Sequence, residues 1–302
     1  MPVTRIASRR TTRMAVYDCF PFFKELDILE IRLRELHDLV DKFVLVESHK
    51  TFSGRNKPLF FGEHRERFAP FLDKIIHVVA DPPDGTAIWQ REIFQRDAIE
   101  RGLIDADPAD LVIVSDVDEI PKPEELRKIV AMPRGRTIHC LGCDQYRMRL
   151  NLRMLPDSDI HHLGPVIVTR RYFRSAQHLR AFWPRTGYRK IPTAIAKAWD
   201  ALRARKKLNF YGIPNVVRGG AWHFSFIGDD DAIRDKLASY SHQESNVPEM
   251  LKTIPDAIRI ALEQGRFIRQ TGSFRVEKLD AMPMTVQRDA KRFDHLILPR
   301  PN

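Results

Sequence analysis

The chain has 302 residues, of which 43% are hydrophobic and 30% charged, so it can bury a sizeable core and is not an intrinsically disordered protein. Its 50 Lys and Arg residues against 40 Asp and Glu residues give a formal charge of +10. This charge favours anionic partners such as nucleotides, nucleic acids or acidic membrane surfaces, or simply maintains solubility. No window approaches the ~18 consecutive apolar residues of a membrane span, and no signal-peptide pattern opens the chain, so we expect a cytoplasmic protein without a transmembrane segment.

The first half of the chain alternates between short apolar runs and segments with helical spacing. Strands are predicted at residues 14–18, 43–47, 75–79 and 111–115, and helices at residues 25–40, 89–102 and 124–131. This alternation predicts an α/β domain with a mainly parallel sheet and helices on both faces. In such sheets ligands bind beyond the carboxyl ends of the strands.

The second half is more irregular. Its predicted strands are residues 137–141, 166–169 and 221–226, and its predicted helices are residues 230–241 and 248–264. Cys140 and Cys143 have the spacing of a redox or zinc motif, but a second pair of ligands that a structural zinc normally requires is not evident, so these residues and Cys19 are expected to be buried free thiols.

The sharpest motif follows the apolar run at residues 111–114, where Asp116, Asp118 and Glu119 place three carboxylates at a strand end. In an extended chain, alternation sends Asp116 and Asp118 to the same side, so both can face one divalent cation. Mn²⁺ or Mg²⁺ held there would bridge the phosphates of a nucleotide-sugar and neutralise the departing diphosphate. The alternative is a solvated turn that caps the next helix.

Four blocks of the sequence resemble glycosyltransferase family 17. They are residues 17–27 with 29–33, residues 43–54, residues 115–121, and residues 221–225 with 240–244. The resemblance implies a GT-A-like fold, a Rossmann-type sheet within a single domain. It also implies a UDP-sugar donor, transfer of N-acetylglucosamine, a divalent cation and an inverting mechanism. By the same resemblance, Asp116 and Asp118 correspond to the metal-diphosphate motif, and His223 to a late histidine that serves as another metal ligand.

On this reading the chain divides into three parts. A disordered basic arm is expected at residues 1–13 and a loop-rich tail at residues 276–302. The GT-A-like domain at residues 14–275 would comprise a nucleotide-binding half, residues 14–135, and an irregular acceptor half, residues 136–275.

Donor binding is expected from residues near the strand ends. Glu47 ends the second strand and could accept hydrogen bonds from uracil or ribose, although a cap role is the alternative. Arg55 and Lys57 follow in the next loop and could contact the phosphates, or remain solvated. GT-A enzymes often place a basic and acidic pair to brace the nucleotide and the metal motif, which here suggests Arg96 and Asp97, with Asp116 beside the donor. Arg91 is a further candidate for that role.

An inverting transfer needs a general base for the acceptor hydroxyl. Glu244, inside a block that resembles the family, is the first candidate and Asp144 the second; both could instead be structural caps. The acceptor glycan is expected on the aromatic and basic stretch at residues 172–211, with Trp183 and His242 as contacts. The alternative for this stretch is a basic surface whose aromatic rings belong to the core.

Two other classes of function remain open at this stage. Paired aspartates at a strand end also serve metal-dependent nucleotidyltransferases and phosphohydrolases. The positive charge would suit a nucleic-acid-binding module, but the sequence shows no helix-turn-helix, zinc finger or RNP signature, so no nucleic-acid partner is expected. The expected partners are a UDP-sugar and a glycan, with room for peripheral membrane contact and no prediction of the oligomeric state.

Overall fold

The computed structural model describes residues 14–156, 162–182, 193–208, 214–239, 254–267 and 270–299. The strands are β1 (Val16–Pro21), β2 (Lys42–Glu47), β3 (Ile75–Val79), β4 (Leu111–Val114), β5 (Glu119–Pro121), β6 (His139–Arg147), β7 (Leu152–Pro156), β8 (Leu163–Thr169), β9 (Asn215–Ser225), β10 (Arg266–Phe267) and β11 (Gln270–Val276). The α-helices are α1 (Leu26–Leu36), α2 (Phe60–Glu63), α3 (Ile88–Asp97), α4 (Pro123–Ala131), α5 (Ala176–Arg180), α6 (Thr193–Leu208), α7 (Asp230–Ser239), α8 (Ile254–Gln264) and α9 (Met284–Arg288). The predicted basic arm at 1–13 lies outside the described residues.

The strands form one mixed sheet in the order β10-β11-β7-β6-β8-β4-β1-β2-β3, and β9 joins β6 to β5 off this path. The four strands of the first half, β3, β2, β1 and β4, are parallel. On the other side of β4, the successive pairs β4 with β8, β8 with β6, and β6 with β7 are antiparallel. The short loop between β6 and β7 is compatible only with an antiparallel pair of those two strands. The α/β domain with a helix-flanked sheet is confirmed, whereas the sheet is mixed and not mostly parallel as predicted: the second half adds antiparallel pairs beside the parallel pair of β6 and β9.

Both faces of the parallel strands are covered, which positions the strand ends rigidly. Along β2, Phe43 and Leu45 belong to one buried cluster and Val44 and Val46 to another on the opposite face. This is the near-continuous apolar run that a doubly covered strand requires. A third, smaller cluster packs beneath β7, β11 and α8. Cys19, Cys140 and Cys143 are free and buried, as predicted.

Several elements differ from the sequence prediction. The strands β5, β7, β10 and β11 were not predicted, because each is short or polar enough to lack a clear period of two. The helix α6 occupies part of the aromatic and basic stretch at residues 172–211. The tail that was expected to be rich in loops forms short helical turns, and Phe293 and Leu296 from these turns enter the main core. In the described part of the chain, no helix combines the length and apolar composition that a membrane span requires.

Gly102, the last residue of the helix predicted at 89–102, has a packing role. The predicted helix at 89–102 ends as α3 at Asp97 and continues as a 3-10 helix, Ala98–Leu103, that lies against β2. A Cβ atom on Gly102 would lie 2.4 Å from Cγ1 of the buried Val44. The two elements therefore approach more closely than any side chain at position 102 allows.

We expect Gly102→Ala to lower the free energy of unfolding by about 1–3 kcal/mol, because the added methyl group overpacks this contact. Urea denaturation followed by far-ultraviolet circular dichroism measures the change. Gly135→Ala is the matched control, because the nearest atom to its Cβ lies 4.0 Å away. Equal stability of the two variants would contradict the packing role of Gly102.

Candidate functional site

The carboxylate motif forms a turn, not an extended strand. The chain leaves β4 after Val114, and the N–H of Glu119 donates to the carbonyl oxygen of Asp116 at 3.0 Å before β5 begins. The predicted alternation of Asp116 and Asp118 along an extended chain is therefore wrong. The turn directs the two carboxylates to different partners.

Arg32, on α1, stabilises this turn by hydrogen bonds to its backbone. Its guanidinium donates to both carboxylate oxygens of Asp18 at 2.7 and 2.6 Å, and both side chains are fully buried. The Nη1 atom of Arg32 also donates to the carbonyl oxygens of Asp116, Val117 and Glu119, at 3.0, 3.1 and 2.8 Å. One buried side chain thus fixes three carbonyl groups of the motif.

Asp116 lies between two arginines. Arg96, from α3, donates to its Oδ1 atom at 3.0 Å, and Arg180, at the end of α5, donates to its Oδ2 atom at 3.0 Å. Burial alone would raise the pKa of Asp116, but the charges of Arg180 and Arg96 outweigh it and hold the pKa well below its ordinary value. Asp116 is therefore a carboxylate, and both its oxygens accept hydrogen bonds.

Asp118 is more deeply buried and has a different environment. The Nζ atom of Lys236, on α7, lies 2.7 Å from its Oδ2 atom and 2.9 Å from Glu25 Oε1. The Nε2 atom of His223, on β9, lies 3.8 Å from its Oδ1 atom. Burial raises the pKa of Asp118, while Lys236 opposes this effect and the negative charge of Glu25 adds to it.

Glu119, His162 and His223 form a second cluster beside the turn. Glu119 is 1% exposed and accepts a hydrogen bond at 2.9 Å from His162 Nε2, while Arg180 contacts both its oxygens. The His162 and His223 rings stack with 4.3 Å between centroids. One potential ligand atom from each of the three residues lies within 4.8 Å of the other two. Burial, followed by the proximity of His162, lowers the pKa of His223 well below its ordinary value, so this imidazole is neutral.

The structure brings together four residues predicted from the sequence: Asp116, Asp118, His223 and Arg96. Asp97 does not pair with Arg96; its Oδ1 atom instead accepts the N–H of Gln177 at 2.9 Å near the start of α5. Sequence reasoning missed the ionisable residues that complete the site, which are Glu25, Arg32, Arg180, Lys236 and His162. The only signal for Arg32 was its position in the first block that resembles the family.

The other predicted donor residues make structural contacts. Glu47 is fully buried, and its carboxylate accepts the N–H of Phe61 at 3.1 Å and contacts His77 Nε2 at 3.0 Å. Lys57 lies over the rings of Phe23 and Phe60, with 5.6 Å to each centroid. The Glu47 contacts correspond to its cap alternative, because no oxygen is left facing open space.

Arg55 and Arg91 stabilise the loop that follows β2: Arg55 lies in this loop, and Arg91 contacts it from α3. Arg55 Nη2 donates to Ser239 Oγ at 2.7 Å, which ties this loop to the end of α7. Arg91 Nη1 donates to the carbonyl oxygen of Phe52 at 2.9 Å. Neither residue contacts the carboxylate turn, although the loop they stabilise lies against the helix that carries Lys236.

Asp144, predicted as a candidate base, lies on the other face of the sheet. In the strand register, Glu119 and Gln145 are both opposite His223, whereas Asp144 is opposite Trp222. Asp144 pairs with Lys122 and with Arg153, each at 2.7 Å, and lines a separate pocket of about 450 Å³. The structure therefore does not bring it to the carboxylate turn. The predicted residues Glu244, Trp183 and His242 lie outside the described residues.

An α/β sheet with acidic and basic side chains gathered at the end of a parallel strand is typical of enzymes that bind nucleotides. Residues 5–153 match the family model of glycosyltransferase family 17, so the predicted resemblance to that family is confirmed. Beta-1,4-mannosyl-glycoprotein 4-beta-N-acetylglucosaminyltransferases from Homo sapiens and Rattus norvegicus are each 36% identical to this chain over 107 residues.

These alignments cover 32% of this chain and 20% of each relative, so the chain matches about a fifth of the length of the curated relatives. The corresponding Mus musculus protein is 35% identical over 107 residues, with the same coverage. A crystal structure of a mycobacterial protein aligns with 15% identity and a TM-score of 0.32, over 70% of this chain and 85% of that one. A score this low supports no conclusion about the fold.

Proposed function

We propose that this protein transfers a sugar, N-acetylglucosamine in the first instance, from a UDP-sugar to a hydroxyl group of a glycan or glycoside. The transfer would invert the anomeric centre and depend on Mn²⁺ or Mg²⁺ in a GT-A-like domain. The observation that carries the proposal is the turn after β4, where Asp118 and His223 lie 3.8 Å apart beside Asp116. The names of the aligned relatives support the sugar and the reaction class.

The residues at this turn fit a divalent cation. Asp118 Oδ1 and His223 Nε2 would supply one oxygen and one nitrogen ligand, and the imidazole is neutral as a ligand must be. Asp116 fits less directly, because both its oxygens are held by arginines and it would bind a cation only by giving up one of them. A bound cation would offset the negative charge that develops on the departing diphosphate.

In this proposal, the cationic side chains around the turn hold the two aspartates in place and favour binding of the donor diphosphate. Arg96 and Arg180 hold Asp116 ionised and in place, and Lys236 holds Asp118. Guanidinium groups also bind phosphate oxygens in a bidentate manner, so Arg180 could exchange a carboxylate contact for a donor phosphate. The local charge would then favour a diphosphate over a neutral ligand.

A thermal-shift screen tests the proposal. UDP and UDP-N-acetylglucosamine are expected to raise Tm only when Mn²⁺ or Mg²⁺ is present, whereas GDP-sugars and dNTPs are expected to have little effect. Asp118→Ala should abolish the shift. A UDP shift that persists in EDTA and in the variant would refute the metal role. Product analysis separates the reaction classes, because a glycosyltransferase releases UDP while the sugar appears on an acceptor.

A further inference from the structure

We propose that helix α6 binds peripherally to the surface of an anionic lipid membrane through its outward face. This face is defined by Ile195, Trp199 and Leu202. The binding requires neither a nucleotide nor a sugar, so the inference does not rest on the proposed function. It concerns a surface distinct from the carboxylate turn.

The outward face of α6 exposes large apolar side chains. Ile195, Trp199 and Leu202 are 54%, 53% and 65% exposed, respectively. Their spacing of four and three residues places all three within about 60° around the helix axis, because an α-helix turns by about 100° per residue. Single exposed apolar residues are common, but a contiguous apolar stripe on a surface helix marks a site of interaction with a protein or a membrane.

The inward face of α6 anchors the helix with small or polar side chains. Ala196, Asp200 and Ala204, each four residues after the previous one, are fully buried. Ala204 belongs to the buried cluster that includes Cys140 of β6 and Leu179 of α5. A surface helix normally directs its large apolar side chains into the core, whereas α6 directs three of them outward. Packing within the domain therefore does not account for the residues on the outward face.

The charges on α6 favour an anionic membrane as the partner. Lys206 lies four residues after Leu202 and extends the outward face, and Arg203 and Arg205 lie roughly 80° to either side of it. Asp200, the single acidic residue in the α6 sequence, is buried. An apolar stripe flanked by Lys and Arg is typical of helices that lie in the membrane interface, where the cations attract acidic head groups.

Other occupants of the outward face fit its chemistry less well. A second copy of the chain would bring two identical basic faces together, and contacts between like charges are unfavourable. A nucleic acid would satisfy the cations but leave the apolar centre of the face against a phosphate backbone. An anionic bilayer meets both requirements, because its head groups face the cations and its acyl boundary accepts the apolar side chains.

The test is co-sedimentation of the full chain, without nucleotide, with vesicles of phosphatidylcholine alone or of phosphatidylcholine and phosphatidylglycerol. We expect tighter binding to the vesicles that contain phosphatidylglycerol, and weaker binding as NaCl is added. The double variant Ile195→Gln with Leu202→Gln should bind about tenfold more weakly or worse, because two apolar side chains no longer enter the membrane. Circular dichroism checks that this variant folds, as its exposed positions allow.

Lys206 and Met284 supply the second variant and the control. Lys206→Glu should weaken binding by about tenfold, because the local charge changes by two, whereas Lys206→Arg should retain binding. Met284→Gln is the matched control, because Met284 is 47% exposed on α9, whose Val286 packs in the cluster on the opposite face of the sheet. We expect Met284→Gln to bind vesicles as the unsubstituted chain does.

Tryptophan fluorescence gives a second readout of the same contact. The emission should shift to shorter wavelength when phosphatidylglycerol vesicles are added, because the ring of Trp199 leaves water for the membrane interface. Trp199→Phe should lose this shift and still sediment with the vesicles. A shift that persists in Trp199→Phe would contradict insertion of α6.

Each remaining outcome either supports or overturns the inference. Equal binding to both kinds of vesicle, no binding to either, or unchanged binding of the double variant would overturn it. A dimer that the double variant dissociates, without vesicle binding, would overturn it in favour of a second copy of the chain. Salt-sensitive binding of RNA without vesicle binding would also overturn it. Vesicle binding that the double variant loses, without any effect of UDP on Tm, would support the membrane surface while the proposed function fails.

Discussion

Replacement of Arg32 by methionine is expected to lower the free energy of unfolding by about 3–5 kcal/mol. The variant leaves the carboxylate of Asp18 buried without its cation, and both side chains are fully buried in the native protein. It also removes the donor shared by the carbonyl groups of Asp116, Val117 and Glu119. Buried acceptors without partners are costly because they lose hydrogen bonds to water on folding. Urea denaturation at neutral pH measures the effect.

Arg34→Met provides the control for this prediction. Arg34 lies on the same helix, but its side chain is 40% exposed and pairs with Glu30, which retains contacts to Arg67 and Arg292. Because Arg34 is partly solvated and Glu30 keeps its other two arginines, we expect this variant to lose only about 0–1 kcal/mol. If Arg32→Met and Arg34→Met are equally stable, then the buried network does not hold the turn as the structure indicates.

Replacement of Asp118 by asparagine is expected to lower kcat/KM for sugar transfer by about 100-fold or more, a loss typical of removing an electrostatic group from an active site. The substitution conserves size but removes the charge that faces Lys236 and His223. Lys236 retains its contact with Glu25, so the variant should fold. Initial rates of UDP release with UDP-N-acetylglucosamine, with and without a glycan acceptor, measure the loss.

The control for Asp118→Asn is Asp27→Asn. Asp27 also forms ion pairs, with Arg67 and with His295, and no contact joins it to the carboxylate turn among the described residues. We expect its variant to retain activity when assayed below its Tm. Loss of activity in Asp27→Asn but not in Asp118→Asn would remove the basis for placing the site at the turn after β4.

The parallel core could be predicted because its strands are apolar on both faces. Residues 43–47 and 75–79 are compact apolar runs, and the strands β2 and β3 lie within one residue of these limits. The antiparallel part could not be predicted in the same way. The pairings of β7 with β11 and of β5 with β9 join residues far apart in the chain, and short strands carry little periodic signal.

The functional site, like the sheet, combines features that the local sequence pattern predicts with features that it does not. The amino-acid sequence by itself determined the parallel half of the sheet, the carboxylate motif at the end of β4 and the resemblance to a glycosyltransferase family, because these depend on local pattern. Only the tertiary structure decided which charges face Asp116, Asp118 and Glu119. Arg180, Lys236 and His162 come from distant elements, and long-range packing, not spacing along the chain, brings them together. It also decided that Asp144 lies across the sheet, since the register of β6 and β9 assigns each side chain its face.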